Sequence, residues 1–164
     1  FTPAYHLYGG TIQSAKMRIE SGYGTAIMSG DVVNLSGGYV IQGTATGTPA
    51  GVFHGVQWTA SDGTPKWSNQ WTASTATLGS EDAVAYIYRD PGIAAGTPAV
   101  TFIGNKYTLS TTAGSTTNGR SKEGVTATTS SGIALCLGFV DEPSNAIGAY
   151  ARAYFSFPTN VFAV

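Results

Sequence analysis

Apolar and polar residues alternate along much of this chain, and the short apolar runs end at glycine-rich turns. Met17 and Ile19, for example, alternate with Lys16, Arg18 and Glu20. A period of two is typical of β-strands that bury one face. Further runs of strand-forming residues lie at 26–28, 32–35, 39–41, 52–58, 83–89, 100–103, 133–140 and 149–157. Because turn residues separate these runs, the pattern predicts an all-β fold, a small barrel or sandwich of short antiparallel strands.

Breaks in this pattern predict three parts. We expect an extended N-terminal arm at 1–15, a β barrel or sandwich unit at 16–92 and a smaller C-terminal β lobe at 93–164. The lobe contains a long polar loop at 109–131, rich in Thr, Ser and Gly. Such residues bury too little apolar surface to offset the entropy of ordering. The loop is therefore expected to run over the surface, ordered mainly by its neighbours.

All three tryptophans lie in one predicted hairpin at 51–71, which turns at the polar segment 61–65. Asp and Gly in that segment favour a tight turn. Each tryptophan can bury about 200 Å² of mostly apolar surface, so the hairpin belongs either to a core or to an interface. We expect one apolar cluster made of Trp58, Trp67, Trp71, Val52 and Val56.

Charged residues are scarce, and this limits the possible partners. They make up 10% of the chain, against about 25% in typical soluble domains, which favours a protein that lives in contact with other protein. The net charge is −1, and the basic residues are spread from Lys16 to Arg152 without a cluster. Nucleic acid and anionic membranes require a basic patch, so neither is an expected partner.

The sequence contains no recognisable catalytic or metal-binding motif. His6 and His54 are far apart and have no zinc-ligand spacing, and His54 is expected to be half-buried in a strand. Asp62 lacks the further carboxylates of a calcium loop. Cys136 lies in an apolar run and is expected to be a buried structural residue. We therefore predict a protein that is not an enzyme, with no catalytic residue, metal or cofactor.

Several short motifs follow one another in a fixed order: Phe1-x-Pro3-x-x-His6-Leu7-x-Gly9-Gly10, Gly30-Asp31-Val32-Val33, Gly51-Val52-Phe53-x-Gly55-Val56, Asp62-Gly63-x-Pro65, Ala83-x-x-Tyr86-x-x-x-Asp90-Pro91, Gly119-x-Ser121 and Leu137-Gly138-Phe139-Val140-Asp141-x-Pro143-x-Asn145. In order and spacing they resemble the capsid cement or decoration proteins encoded beside the major capsid protein in many tailed phages, particularly short-tailed marine and cyanobacterial phages. Two features depart from that pattern: Arg89-Asp90 precedes Pro91, where related chains often have two acids, and the tail at 158–164 is less polar.

The resemblance implies a structural virion protein, made in the host cytoplasm, that sits on the outer surface of an icosahedral capsid and clamps neighbouring major capsid subunits. A homotrimer on threefold axes is the expected arrangement, and a dimer is the second choice. A β-rich arm can add strands to a neighbour. The expected capsid or oligomer interface is therefore the N-terminal arm, with Phe1, Tyr5, His6, Leu7 and Tyr8, unless these are ordinary core or terminal residues.

A second function remains open from the sequence. A virion fibre, tail or adsorption module could bind glycans, because exposed aromatic rings on β scaffolds stack on sugar rings. Trp58, Trp67 and Trp71 would form such a platform.

Overall fold

The computed structural model describes residues 1–3, 13–20, 22–72, 83–88, 92–96, 103–127, 130–143, 145 and 151–162. Within these ranges the chain forms β-strands and no helix, so none of the described segments could cross a membrane as a helix. The predicted all-β, antiparallel fold is confirmed. The strands are β1 Thr2–Pro3, β2 Ser14–Arg18, β3 Ile27–Met28, β4 Val32–Ser36, β5 Tyr39–Gln42, β6 Pro49–Thr59, β7 Pro65–Ser68, β8 Gln70–Trp71, β9 Val84–Tyr88, β10 Gly92–Gly96, β11 Lys106–Tyr107, β12 Leu109–Ser110, β13 Gly124–Val125, β14 Ala134–Phe139 and β15 Ala151–Ser156.

The larger sheet is built around β6, which spans 11 residues. Its strand order is β2-β9-β6-β4-β5, and β7 pairs with the end of β6. The two edge strands approach each other at a parallel bridge between Ile19 and Val40. The sheet therefore curls on itself, although no sheet in the described part of the chain closes into a barrel.

The second sheet has the order β1-β10-β15-β14-β11. Its strands come from the N-terminus and from residue 92 onward, whereas the larger sheet uses strands between Ser14 and Tyr88. Two small pairs, β3 with β8 and β12 with β13, complete the fold. The chain passes from the larger sheet to the second sheet near residue 92, where the sequence predicted a division. Residues of both sheets nevertheless share one apolar core.

Two apolar cores lie on opposite faces of the larger sheet. The first, here called the inter-sheet core, includes Val32 and Val52 from the larger sheet and Ala153 and Phe155 from the second. The other, here called the inner core, includes Val33, the next residue after Val32. Successive strand residues point to opposite faces, so burial of both faces explains the unbroken apolar runs in the middle of this sheet.

The polar segment 109–131 differs in part from the surface loop expected from its composition. Leu109 and Val125 are directly opposite each other in the β12–β13 pair, and both are buried in the inter-sheet core. The residues between these strands, here called the polar excursion (111–123), are mostly exposed or half-buried, apart from Gly119 and Glu123, which are buried. No helix occurs in the described residues of the segment.

Candidate functional site

Phe1, the first residue of the predicted interface, is a core residue. Its side chain is buried, and its ring makes edge-on contacts with Phe155 and Phe157, with centroid distances of 6.3 and 5.5 Å. The prediction of Phe1 as a contact residue is therefore wrong, because its ring fills the inter-sheet core. Thr2 and Pro3 pair with β10 of the same chain. The other predicted interface residues, Tyr5, His6, Leu7 and Tyr8, lie outside the described residues.

Next to Phe1 lie two buried carboxyl groups, which we call the acidic site: those of Asp31 and Glu123. The Phe1 backbone nitrogen donates a hydrogen bond of 2.7 Å to the Gly30 carbonyl oxygen. Asp31 is 0% exposed and Glu123 is 6% exposed. One oxygen of each carboxylate accepts a backbone hydrogen bond of 2.7 Å, from Met28 N–H to Asp31 Oδ2 and from Val32 N–H to Glu123 Oε2.

The second oxygen of each carboxylate, Asp31 Oδ1 and Glu123 Oε1, is buried and accepts no hydrogen bond from the described residues. Burial raises the pKa of Asp31. Burial, with a smaller contribution from the charge of Asp31, raises the pKa of Glu123 to about 8. At neutral pH Glu123 is therefore mainly protonated, so the site buries less charge than two ionised carboxylates would.

The turn at Ser29–Asp31 positions this site. Gly30 has φ of 98°, a left-handed conformation that favours glycine, and a Cβ there would lie only 2.8 Å from the Phe1 carbonyl oxygen. Ser29 N–H donates to the Gly119 carbonyl, and Ser121 N–H donates back to the Ser29 carbonyl, both at 2.9 Å. The turn thus contacts the N-terminal segment on one side and the polar excursion on the other.

The three tryptophans do not form one cluster, so that prediction is wrong in part. Trp71 is fully buried in the inner core. Trp58 is half-buried and packs against the same core. Trp67 is 49% exposed. Val56 belongs to the inner core, as expected, but Val52 faces the inter-sheet core.

A β-bulge explains the different positions of Val52 and Val56. In the β6–β9 pair, Phe53 is opposite Ile87 and Gly55 is opposite Tyr86, so His54 is an extra residue between them. One extra residue shifts the alternation of side chains, and positions four apart then face opposite sides of the sheet. The bulge also leaves the His54 side chain exposed, where the sequence predicted it half-buried.

Trp67 is the centre of a group of exposed or half-buried side chains, here called the Trp67 surface: Lys16, His54, Gln57, Trp67 and Tyr86. The Trp67 ring lies 5.7 Å from the His54 ring and 5.1 Å from the Tyr86 ring, centroid to centroid. It lies over Gly55, where a Cβ would overlap the outer carbons of the indole. Tyr86 is fixed in turn, because its hydroxyl donates to Gln57 Oε1 at 2.7 Å and Lys16 Nζ lies 5.3 Å from its ring centroid.

These contacts hold the indole in a defined orientation while about half of its surface stays exposed to solvent. The turn that joins the two strands of this hairpin is also ordered. Thr64 donates two hydrogen bonds to Asp62 Oδ1, at 2.9 Å from its backbone N–H and at 2.6 Å from its hydroxyl. The Trp67 surface therefore offers a partner one exposed aromatic ring with polar groups beside it, without a large loss of side-chain freedom on binding.

Among the described residues, no three His, Cys, Asp or Glu side chains lie together in an arrangement that could hold a metal ion. This holds for the acidic site and for the Trp67 surface. Cys136 is buried in the inter-sheet core, and burial raises the pKa of its thiol.

No family model, curated protein or solved structure matches this chain.

Proposed function

We propose that this protein is a structural virion protein that binds the outer surface of an icosahedral phage capsid and clamps neighbouring major capsid subunits. The order of sequence motifs from Phe1 to Asn145, which resembles capsid cement proteins, supports this function. A clamp selective for the mature lattice would stabilise it by mass action, as any ligand that binds one state does. A trimer on threefold axes would contact three neighbours at once, and a dimer is the second arrangement that we propose.

The Trp67 surface is the observation on which the proposed attachment depends. Exposed tryptophans are over-represented among the residues that dominate binding energy in protein interfaces. Trp67 is held by Gly55 and Tyr86, so little side-chain entropy would be lost on binding. Since Phe1 is buried, we place the main capsid contact at this surface. Tyr5, His6, Leu7 and Tyr8 stay a proposed second contact.

Re-attachment to stripped particles tests this assignment. We expect Trp67→Ala to bind stripped particles of the encoding phage at least about tenfold more weakly than the unmodified protein, as truncating a central interface residue typically does. Ile103→Ala is the control, because Ile103 is equally exposed, at 54%, but lies beside β11 in the second sheet. Equal binding by the two variants would exclude the Trp67 surface as the contact. Failure of the unmodified protein to bind would contradict the proposed function itself.

A glycan-binding fibre, tail or adsorption module is the second candidate function. The polar groups beside the indole favour it, since Gln57 and Lys16 could bond to hydroxyls of a sugar ring stacked on Trp67. Titration with a panel of neutral oligosaccharides, followed by the NMR signal of the Trp67 indole N–H, distinguishes the two candidates. A saturable shift would favour glycan binding, and no shift up to millimolar sugar would exclude it for this panel.

A further inference from the structure

Strand β7 forms an open edge of the larger sheet. The other two edge strands of this sheet, β2 and β5, approach each other at the bridge between Ile19 and Val40. Within the described part of the chain, β7 pairs with β6 alone, and its residues Pro65, Lys66 and Trp67 are exposed. We propose that this edge accepts a short extended strand of the major capsid protein, which bonds to the Trp67 backbone and carries a carboxylate beside Lys66. This inference deepens the proposed capsid function and rests on it.

The register of the hairpin shows which backbone groups of β7 point outward. Ala60 N–H donates to the Thr64 carbonyl oxygen at 2.9 Å, which makes these two residues a hydrogen-bonded pair. Hydrogen-bonded and non-hydrogen-bonded pairs alternate along an antiparallel ladder. Trp67, which lies opposite Gln57 and three positions after Thr64, therefore belongs to a non-hydrogen-bonded pair. Its N–H and C=O accordingly point away from β6, toward the open edge.

The open part of this edge, here called the β7 slot, is short. After Trp67 the chain continues into β8, which pairs with β3, and Ser29 N–H just after β3 donates to the Asn69 carbonyl oxygen at 3.0 Å. Asn69 Nδ2 also donates to the Asn118 carbonyl oxygen at 3.0 Å. At the other end of the slot, Pro65 has a carbonyl oxygen but no N–H. The slot therefore fits an extended segment of about three residues, in line with β3.

The side chains beside the β7 slot leave it free and indicate what fits it. The Trp67 ring leans over Gly55 of β6 and toward Tyr86, on the side away from the slot. An added strand would thus bond to the backbone without displacing the indole. Lys66 is exposed and forms no ion pair with the described residues. Opposite charges on adjacent strands attract each other, which favours an acidic side chain in the added strand. An exposed ion pair contributes little, so attachment stays only weakly dependent on salt.

Hydrogen exchange on particles tests the strand addition. In the free protein the Trp67 amide should exchange close to its intrinsic rate, because it has no acceptor. After the protein is added back to stripped particles, this amide should exchange at least about tenfold more slowly, since a bonded amide exchanges only when the bond opens. The Ile103 amide is the control: it donates to none of the described residues, lies beside β11, and should exchange equally fast in both states. Attachment with an unchanged rate at Trp67 would overturn the strand addition and leave the capsid function standing, whereas failure to attach would contradict both.

Two pairs of variants test the backbone bond and the charge. Trp67→Pro and Trp67→Ala both remove the indole, but only Trp67→Pro also removes the outward N–H, and neither removes a bond to β6. Trp67→Pro should therefore bind stripped particles about three- to tenfold more weakly than Trp67→Ala. Lys66→Gln should bind up to about fivefold more weakly than Lys106→Gln, which makes the same change on β11.

Equal binding within the first pair of variants would overturn the backbone bond, and equal binding within the second would overturn the acidic side chain of the partner. The exchange measurement uses the unmodified protein, so it decides the first point even if Trp67→Pro is unstable.

Discussion

Glu123→Gln should change how the stability of the folded protein depends on pH. Burial raises the pKa of this carboxyl from an ordinary 4.5 to about 8, and Glu123 is only 6% exposed. The folded protein therefore keeps a proton that the unfolded chain releases above pH 4.5. The contribution of Glu123 to the free energy of unfolding should therefore be highest below pH 4.5 and should fall as the pH rises to about 8.

The size of this effect follows from the pKa change. At about 1.4 kcal/mol for each pH unit, the change from 4.5 to about 8 corresponds to about 5 kcal/mol. That is a large part of the 5 to 15 kcal/mol that stabilises a typical domain.

Urea denaturation between pH 4.5 and pH 9 measures this difference. The stability of Glu123→Gln relative to the unmodified protein should increase by up to about 5 kcal/mol between pH 4.5 and pH 8 and then stay constant. Glu20→Gln is the control, since it makes the same substitution at an exposed position. Parallel profiles for Glu123→Gln and the unmodified protein would refute the assignment of a buried proton to Glu123.

Three further predictions concern the hairpin and its surface. Trp71→Ala should lower the free energy of unfolding by about 3 to 5 kcal/mol and Trp67→Ala by less than half as much, because Trp71 is fully buried and Trp67 is half exposed; equal losses in denaturation would contradict this. Gly55→Ala should displace the Trp67 ring and shift the indole N–H NMR signal, whereas Gly24→Ala, which meets nothing within 4 Å, should not; an unchanged signal would show that the ring does not lie over Gly55. Attachment to capsids should vary little between 50 and 500 mM salt, since few ion pairs are available, and release by moderate salt alone would contradict an apolar contact.

Local patterns in the sequence were sufficient to predict many of the strands, but not β12 and β13, which lie in the segment expected to be a loop. The alternation around Met17 lies in β2, and the predicted run at 52–58 lies within β6. The turn after β6 followed from Asp62 and Gly63, whose preferences are local. Such predictions succeed because strand and turn preferences depend mainly on neighbouring residues.

The side-chain environments depended on long-range structure that the sequence does not reveal. Nothing in the apolar pattern marks His54 as an extra residue, yet this bulge decides that Val52 and Val56 face different cores. Glu123 lies in a polar tract typical of a surface loop, and its burial results from a contact with Val32. Gly30 and Asp31 resembled an ordinary turn, and no local signal indicated that Phe1 would bind there.

The heat stability of virions tests the proposed capsid function most directly. Purified particles of the encoding phage would be compared with particles stripped of this protein, and with stripped particles to which it has been added back, by measuring the temperature at which DNA is released. The proposal predicts that the protein is present in a fixed ratio to the major capsid protein, that stripped particles release DNA at a lower temperature, and that added protein restores the original temperature. Absence of the protein from purified particles, or release at the same temperature in all three preparations, would contradict it.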